Sequence, residues 1–456
     1  MLIFDDNPQQ GTPIELVAST DLDDWLESQD EITKKWAKQH QFEGKANQFF
    51  VLPDAGGIPG KVFAGIGKKA SVKSLGALAH RLPKQSYFLS NAADEDTYVL
   101  ALGWGMGTYR YNVYRTKEKD KETTAKLYLD PTFKNINDEL QAVNLSRDLI
   151  NTPAGDMLPH NFELAVRKVC KQFEIDLNVT TGEELLEAGF RTIHAVGRAS
   201  VSAPRLLDFS WGNADAPKVT LIGKGVCFDS GGLDLKTAAG MLDMKKDMGG
   251  AAIALGLAQL IMARQLNIRL RVLLPAVENA VSANAYHPRD VIHTYKGTTV
   301  EVGNTDAEGR LILCDAITLA TEEDPELIID FATLTGAARV ALGPDLPAMY
   351  CNRDEIADEI LESSQTVEEL VWRLPLFKSY RSMLDSKVAD LSSTSSTPLG
   401  GSITAALFLE HFVNDTPWVH FDLMASNNRM RPAHPEGGEG SVLRTLFHYL
   451  HSRFGG

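Results

Sequence analysis

Cysteine is scarce in this chain, and the four present, Cys170, Cys227, Cys314 and Cys351, are too widely spaced for a CxxC pair or a zinc-finger pattern. A disulfide scaffold is thereby excluded, and the four read as small buried apolar residues kept in a reducing compartment. Long apolar runs are missing as well: stretches such as residues 251–258 fall far short of the ~20 needed to cross a bilayer. The opening Met1-Leu2-Ile3-Phe4-Asp5-Asp6 lacks the basic region and apolar core of a signal peptide. No long Lys/Arg run occurs, and 60 Asp and Glu outnumber 45 Lys and Arg, giving a net charge of -15. Such a balance repels phosphate backbones and anionic lipid. The expectation is a soluble, cytoplasmic protein with neither a membrane nor a nucleic acid as partner. The eleven histidines contain no HExxH, which disfavours a mononuclear zinc peptidase.

What is present is an ordinary globular composition, 44% hydrophobic and 23% charged, over 456 residues. That length exceeds the roughly 250 to 300 residues one core supports, so two domains are expected. Residues 1–135 hold short apolar runs, Phe49-Phe50-Val51-Leu52 and Val62-Phe63-Ala64-Gly65-Ile66, and read as a small α/β domain. The mixed run Lys117-Glu118-Lys119-Asp120-Lys121-Glu122 reads as a solvated hinge. Residues 136–154 read as a connecting helix, apolar at Leu140, Val143, Leu145 and Leu149 and stopped by Asn151-Thr152-Pro153.

Residues 155–456 form the larger domain. Strand-like segments at 219–222, 270–274 and 327–331 alternate with helix-like ones at 249–266 and 311–320. This alternation predicts an α/β fold with a central, mostly parallel or mixed sheet flanked by helices, whose sites collect at the carboxyl ends of strands. No internal repeat is seen, and the Ser/Thr-rich stretch 391–398 reads as a loop.

Two segments at those ends carry chemistry. Gly223-Lys224-Gly225-Val226-Cys227-Phe228-Asp229-Ser230-Gly231-Gly232 leaves a strand and enters a glycine-rich turn. Phosphate binding is disfavoured, because Lys218 stands where a P-loop needs its first glycine and no Ser or Thr follows Lys224. Asp229 could equally be a turn residue. The second segment is Asn304-Thr305-Asp306-Ala307-Glu308-Gly309-Arg310. It reads either as a helix start, with Thr305 or Asp306 as N-cap, or as a pair of carboxylates that extended chain points to one side. Gathering these acids at neighbouring strand ends sets like charges against one another, and a pair of divalent cations resolves the conflict. Hard oxygen ligands suit Mg, Mn or Zn, and two-metal sites activate an attacking hydroxide.

Residues 223–232, 236–252 and 304–310 closely resemble the signatures of the leucyl aminopeptidase (cytosol aminopeptidase) family, and the heptapeptide at 304–310 is a highly specific match. Similarity continues through Ala332-Thr333-Leu334-Thr335-Gly336-Ala337 and the block at 400–409, so that it covers roughly residues 140 to 425. The resemblance implies that Lys224, Asp229, Asp247, Asp306 and Glu308 ligate two divalent metals, Zn or Mn, with Asp229 and Glu308 bridging them. It implies that a bridging hydroxide attacks the first peptide carbonyl, that Lys236 is an electrophile for the oxyanion, and that Arg310 holds bicarbonate as proton shuttle. Met244 and the backbone of Thr333, Leu334 and Gly336 match the pocket for the N-terminal side chain, with Asn304 among the substrate-binding residues. The implied substrates are peptides with a free N-terminus, leucine or another apolar residue first, and the implied assembly is a homohexamer.

Departures from the family pattern bear on specificity. Thr237 stands where proline is common, 392–398 lacks the usual glycine and arginine, and the tail from Met424 differs from the usual glycine-rich ending. Some relatives of the family also act on DNA, but the acidic charge and the absence of a reading motif speak against a nucleic-acid regulator. A two-metal phosphohydrolase is the other rival.

Overall fold

The computed structural model describes residues 4–5, 11–117 and 124–455. The expected hinge therefore lies, beyond Lys117, outside the described residues, as do Met1, Leu2, Ile3 and Asp6 of the N-terminal hexapeptide. The chain divides into two compact units, one of Met1–Asn144 with Asn428–Glu436 and the other of Leu145–Asn427 with Gly437–Gly456. The segment Asn428–Glu436, which the sequence pattern left with the larger domain, thus groups with the first unit. Expected over 136–154, the connecting helix spans Ile136–Asn151 and contains the first point of division.

Among its described residues the first unit holds six strands, β1 (Phe4–Asp5), β2 (Thr12–Ala18), β3 (Phe49–Pro53), β4 (Pro59–Gly67), β5 (Ser86–Leu89) and β6 (Lys126–Tyr128). Their order is β1-β6-β5-β2-β4-β3, with only β3 antiparallel to its neighbour. Its core gathers Ile14, Val62, Leu75, Leu100, Trp104 and Leu127.

The second unit includes the strands β7 (Asn178–Thr181), β8 (Arg205–Trp211), β9 (Lys218–Gly223), β10 (Gly225–Asp229), β11 (Arg269–Asn279), β12 (Val291–His293), β13 (Thr299–Glu301), β14 (Leu327–Ala332), β15 (Ala348–Cys351), β16 (Trp372–Arg373), β17 (Leu391–Ser392) and β18 (Trp418–Asp422), with a short pair at Ser426–Asn427 and Gly437–Gly438. Among the described residues a nine-stranded sheet runs β16-β15-β18-β14-β9-β11-β8-β7, with β10 beside β11. Parallel pairing joins β18, β14, β9 and β11, while β8 and β15 run antiparallel to their inner neighbours. Every residue of β14 and β18 is buried. Their near-continuous apolar runs suit a parallel sheet covered on both faces. Helices Gly249–Ala263 and Glu308–Thr321 pack against β9, β11 and β14. The first is apolar all round and almost wholly buried, as a helix without a solvent face must be.

Three boundaries differ from the sequence reading. Helix Gly249–Ala263 stops short of 266. Strand β11 runs on to Asn279 because residues 276–279 pair with β10, an extension that Pro275 and the polar Glu278-Asn279 hide from periodicity. The helix expected from Leu311 begins at Glu308.

One polar group lies deep in this sheet. Asp330 on β14 faces two side chains of β18, accepting from Trp418 Nε1 at 2.6 Å and meeting His420 Nδ1 at 2.6 Å. All three are fully buried. Burial alone would lower the imidazole pKa, but the Asp330 charge outweighs it and holds His420 above its ordinary 6.5. A group whose pKa rises on folding stabilises most below its unfolded value and loses that contribution as pH climbs through the folded one. Asp330→Asn should therefore cost about 3 kcal/mol near pH 6, and clearly less at about pH 9. Urea unfolding at both pH values checks this, and equal losses contradict it.

Candidate metal centre

The sequence-predicted acids converge beyond the carboxyl ends of the central strands. Lys224 links β9 to β10, its N–H donating to Phe331 O at 2.9 Å and its carbonyl accepting from Ala251 N at 2.9 Å. This backbone clamp aims a fully sequestered side chain at two carboxylates, Asp247 Oδ2 at 2.7 Å and Glu308 Oε1 at 2.8 Å. Room for its methylenes comes from Gly309, where a Cβ would stand 2.5 Å from Lys224 Cε.

Asp229 closes β10. Its Oδ1 accepts from Gly231 N–H at 2.9 Å and Asn279 Nδ2 at 2.8 Å, while Oδ2 meets Lys236 Nζ at 2.8 Å. Gly231 and Gly232 take φ values of +88° and +65°, left-handed conformations that suit glycine, and the turn returns Lys236 N–H to Ser230 O. Lys236 Nζ also pairs with Asp306 Oδ1. Asp247 sits in the turn Met244–Met248, where Thr333 Oγ1 donates to its Oδ1 at 2.6 Å.

The heptapeptide does not cap the helix that follows it. Ala307 occupies the N-cap position and no side chain closes it, contrary to the cap reading for Thr305 or Asp306. Thr305 is engaged elsewhere: its Oγ1 donates to Gly231 O at 2.6 Å, and its N–H donates to Asp234 Oδ2 at 2.8 Å. These bonds tie the two chemical segments together and leave the Asp306 and Glu308 carboxyls turned inward. Oxygens of Asp229, Asp306 and Glu308 lie within 4.8 Å of one another.

The electrostatics are those of an overcrowded acid cluster. Burial first, then the Asp229 charge, push the Glu308 carboxyl up to about 8 and the Asp306 carboxyl up to about 6. For Lys224 burial works downward, but the pull of Asp247, Glu308 and Asp229 holds it above the ordinary lysine value. Lys236 is raised in the same way by Asp229 and Asp306. Four carboxyl groups thus face two ammonium groups, and Glu308 Oε2 is buried with no hydrogen-bond partner. An oxygen-rich cluster short of positive charge, with an orphaned buried acceptor, fits divalent cations. Arg310 suits an anion: its Nη1 donates to Ser393 O at 2.6 Å, while its buried Nε has no partner. Burial pulls this guanidinium down to about 10.

A cavity of about 370 Å³ opens onto this cluster. Met244, Thr333, Leu334 and Gly336 line it, as do the five acids and lysines expected as ligands, Lys236 and Arg310. Asn304 does not line it: this exposed residue accepts the Asp306 N–H at 2.7 Å through Oδ1.

Two family models now match the chain: the one described as "Cytosol aminopeptidase family, catalytic domain" over residues 144–447, and "M17 aminopeptidase, N-terminal domain" over 12–130. The chain belongs to the cytosol aminopeptidase family. Like the family, it is a metal-dependent aminopeptidase, a hydrolase acting on peptides. It is similar to a crystal structure of the cytosol aminopeptidase from Coxiella burnetii, 46% identical with a TM-score of 0.94 over 98% of each chain. It is also 33% identical to a probable cytosol aminopeptidase of Roseiflexus castenholzii, over 90% of this chain and 91% of that one. The bottromycin maturation enzyme BotP in complex with Mn is 30% identical, with a TM-score of 0.87 over 97% of this chain and 99% of that one.

The sequence reading missed the residues that hold this cytosol aminopeptidase site in place. Asn279 fixes Asp229, Asp234 fixes Thr305, and Asp422 accepts the N–H groups of Leu334 and Thr335 at 3.0 and 3.1 Å. Asn279 and Asp422 end strands β11 and β18. A polar residue closing an apolar strand at the sheet's carboxyl edge was the available signal. Lys246 and Arg339, which stand in none of the sequence's expected roles, also line the cavity. Burial lowers the Lys246 pKa to about 8. Thr237, where the family often has proline, accepts the Gly240 N–H at 3.2 Å and caps a short helix.

Proposed function

We propose that this aminopeptidase removes the first residue of peptides at the cavity described above, with Asp229, Asp247, Asp306, Glu308 and Lys224 holding two divalent cations, Lys224 as a neutral amine whose proton the cations would displace. The observation that carries the reading is the buried carboxylate cluster with its unpartnered Glu308 Oε2. Zinc or manganese suits the donors, and the manganese complex of the bottromycin enzyme favours manganese as one occupant. Cations bound there would supply Lewis acidity and a hydroxide nucleophile at neutral pH.

The chain's own groups do the rest. Lys236, kept protonated between Asp229 and Asp306, presents its ammonium where a peptide carbonyl turning tetrahedral gathers negative charge. Arg310 offers its free Nε to bicarbonate, a proton carrier. Met244 and Leu334 give an apolar wall suited to leucine and similar side chains. The cluster of acids faces the end of the substrate that carries a basic nitrogen, so a free amine is recognised and an acetylated one is not. On family resemblance we further propose a cytoplasmic homohexamer, for which light scattering should give the mass of six chains.

The test compares kcat/KM for Leu-Gly-Gly and its N-acetyl form, with manganese or zinc supplied, in wild type and Lys236→Ala. Acetylation should nearly abolish cleavage, and the Lys236 variant should lose about 100- to 1,000-fold while keeping its metal. Equal rates on both peptides would make the protein a general amidohydrolase. A loss below about threefold would leave Lys236 a bystander.

A further inference from the structure

Two positive charges on the cavity wall have no part in the chemistry above. Lys246 is almost completely buried, with 3% of its surface exposed, and it is one of the residues lining the cavity. Arg339, on the helix Gly336–Leu342, lines the same wall half-buried, and its Nη1 is buried with no hydrogen-bond partner. Neither side chain is held in an ion pair among the described residues. The nearest acids are already engaged: Asp247 with Lys224 and Thr333, and Asp422 with the N–H groups of Leu334 and Thr335. Buried charges in folded proteins are ordinarily paired, so two such cations facing one cavity call for an anion from outside.

Their position says which anion. Lys246 lies two residues from Met244, and Arg339 three residues beyond Gly336, both in the wall assigned to the N-terminal side chain. We propose that Lys246 and Arg339 bind the carboxylate of an N-terminal glutamate or aspartate, so that this aminopeptidase takes acidic first residues alongside apolar ones. The proposal rests on reading this cavity as the place where the N-terminal residue binds. Met244 and Leu334 contact the methylenes of a glutamate as they would those of a leucine. The guanidinium and the ammonium meet its carboxylate through charge-assisted hydrogen bonds, which a neutral amide of the same shape makes only weakly.

The experiment uses three C-terminally amidated peptides, Glu-Gly-Gly-amide, Gln-Gly-Gly-amide and Leu-Gly-Gly-amide, on the metal-loaded enzyme. Amidation removes the peptide's terminal carboxylate, so any preference for Glu over its isostere Gln comes from the side chain. Wild type should favour Glu over Gln by about tenfold or more in kcat/KM. Lys246→Met, which keeps the buried chain length, and Arg339→Gln, at a half-buried position, should each bring that ratio toward one. Cleavage of Leu-Gly-Gly-amide with no preference for Glu over Gln overturns the proposal, as does a preference that survives both substitutions. Cleavage of none of the three overturns the reading of the cavity itself, and this inference with it.

Discussion

Four carboxyl groups gathered with two lysines at the floor of one cavity is the constraint on which the rest of the structure depends. Asp229, Asp247 and Glu308 are each almost fully buried, and the charge of its neighbours adds to burial in holding the Glu308 carboxyl protonated to higher pH. The raised Glu308 and Asp306 carboxyls and the raised lysines are two expressions of one imbalance, a site short of positive charge. A protein gains nothing in stability from such a cluster, because desolvating charges costs more than their pairing returns. Its persistence at the heart of the second unit is a functional investment that divalent cations balance.

Much of the surrounding architecture exists to hold that cluster still. Parallel strands β9, β11, β14 and β18 end on one edge, and the residues that leave or close them supply Lys224, Asn279, Thr333 and Asp422. Two of the donors and the turn beside them are fixed by further contacts: Asp229 by Asn279 and the Gly231 N–H, Asp247 by Thr333, and the Thr333–Thr335 turn by Asp422. Preorganisation of this kind removes the cost of ordering the donors during reaction. The Asp330–His420–Trp418 network stiffens the same strands from within the sheet.

The α/β class, three central strands and the two helices between them were legible because apolar runs of strand and helix length alternate in the sequence. The site was legible through its dense motifs, and the structure brings every expected ligand to one cavity. What the sequence hid follows from long-range geometry. Strand β11 extends to Asn279 only because β10 is there to pair with it, and Asn428–Glu436 groups with residues nearly 300 positions earlier. The apparent helix cap at Thr305 and Asp306 was lost to partners some 70 residues distant, Gly231 and Asp234. Lys246 and Arg339 look like surface residues in sequence, and only folding sets them in one wall.

The central claim is that the buried acids exist to bind a pair of cations, and metal content tests it most directly. Elemental analysis of protein equilibrated with manganese or zinc and then desalted should find about two ions per chain. Asp229→Asn, with its fold verified by circular dichroism, should hold markedly fewer, because the family resemblance implies that this carboxylate would touch both ions. Wild-type protein that retains no metal, or a variant that retains as much as wild type, would contradict the account.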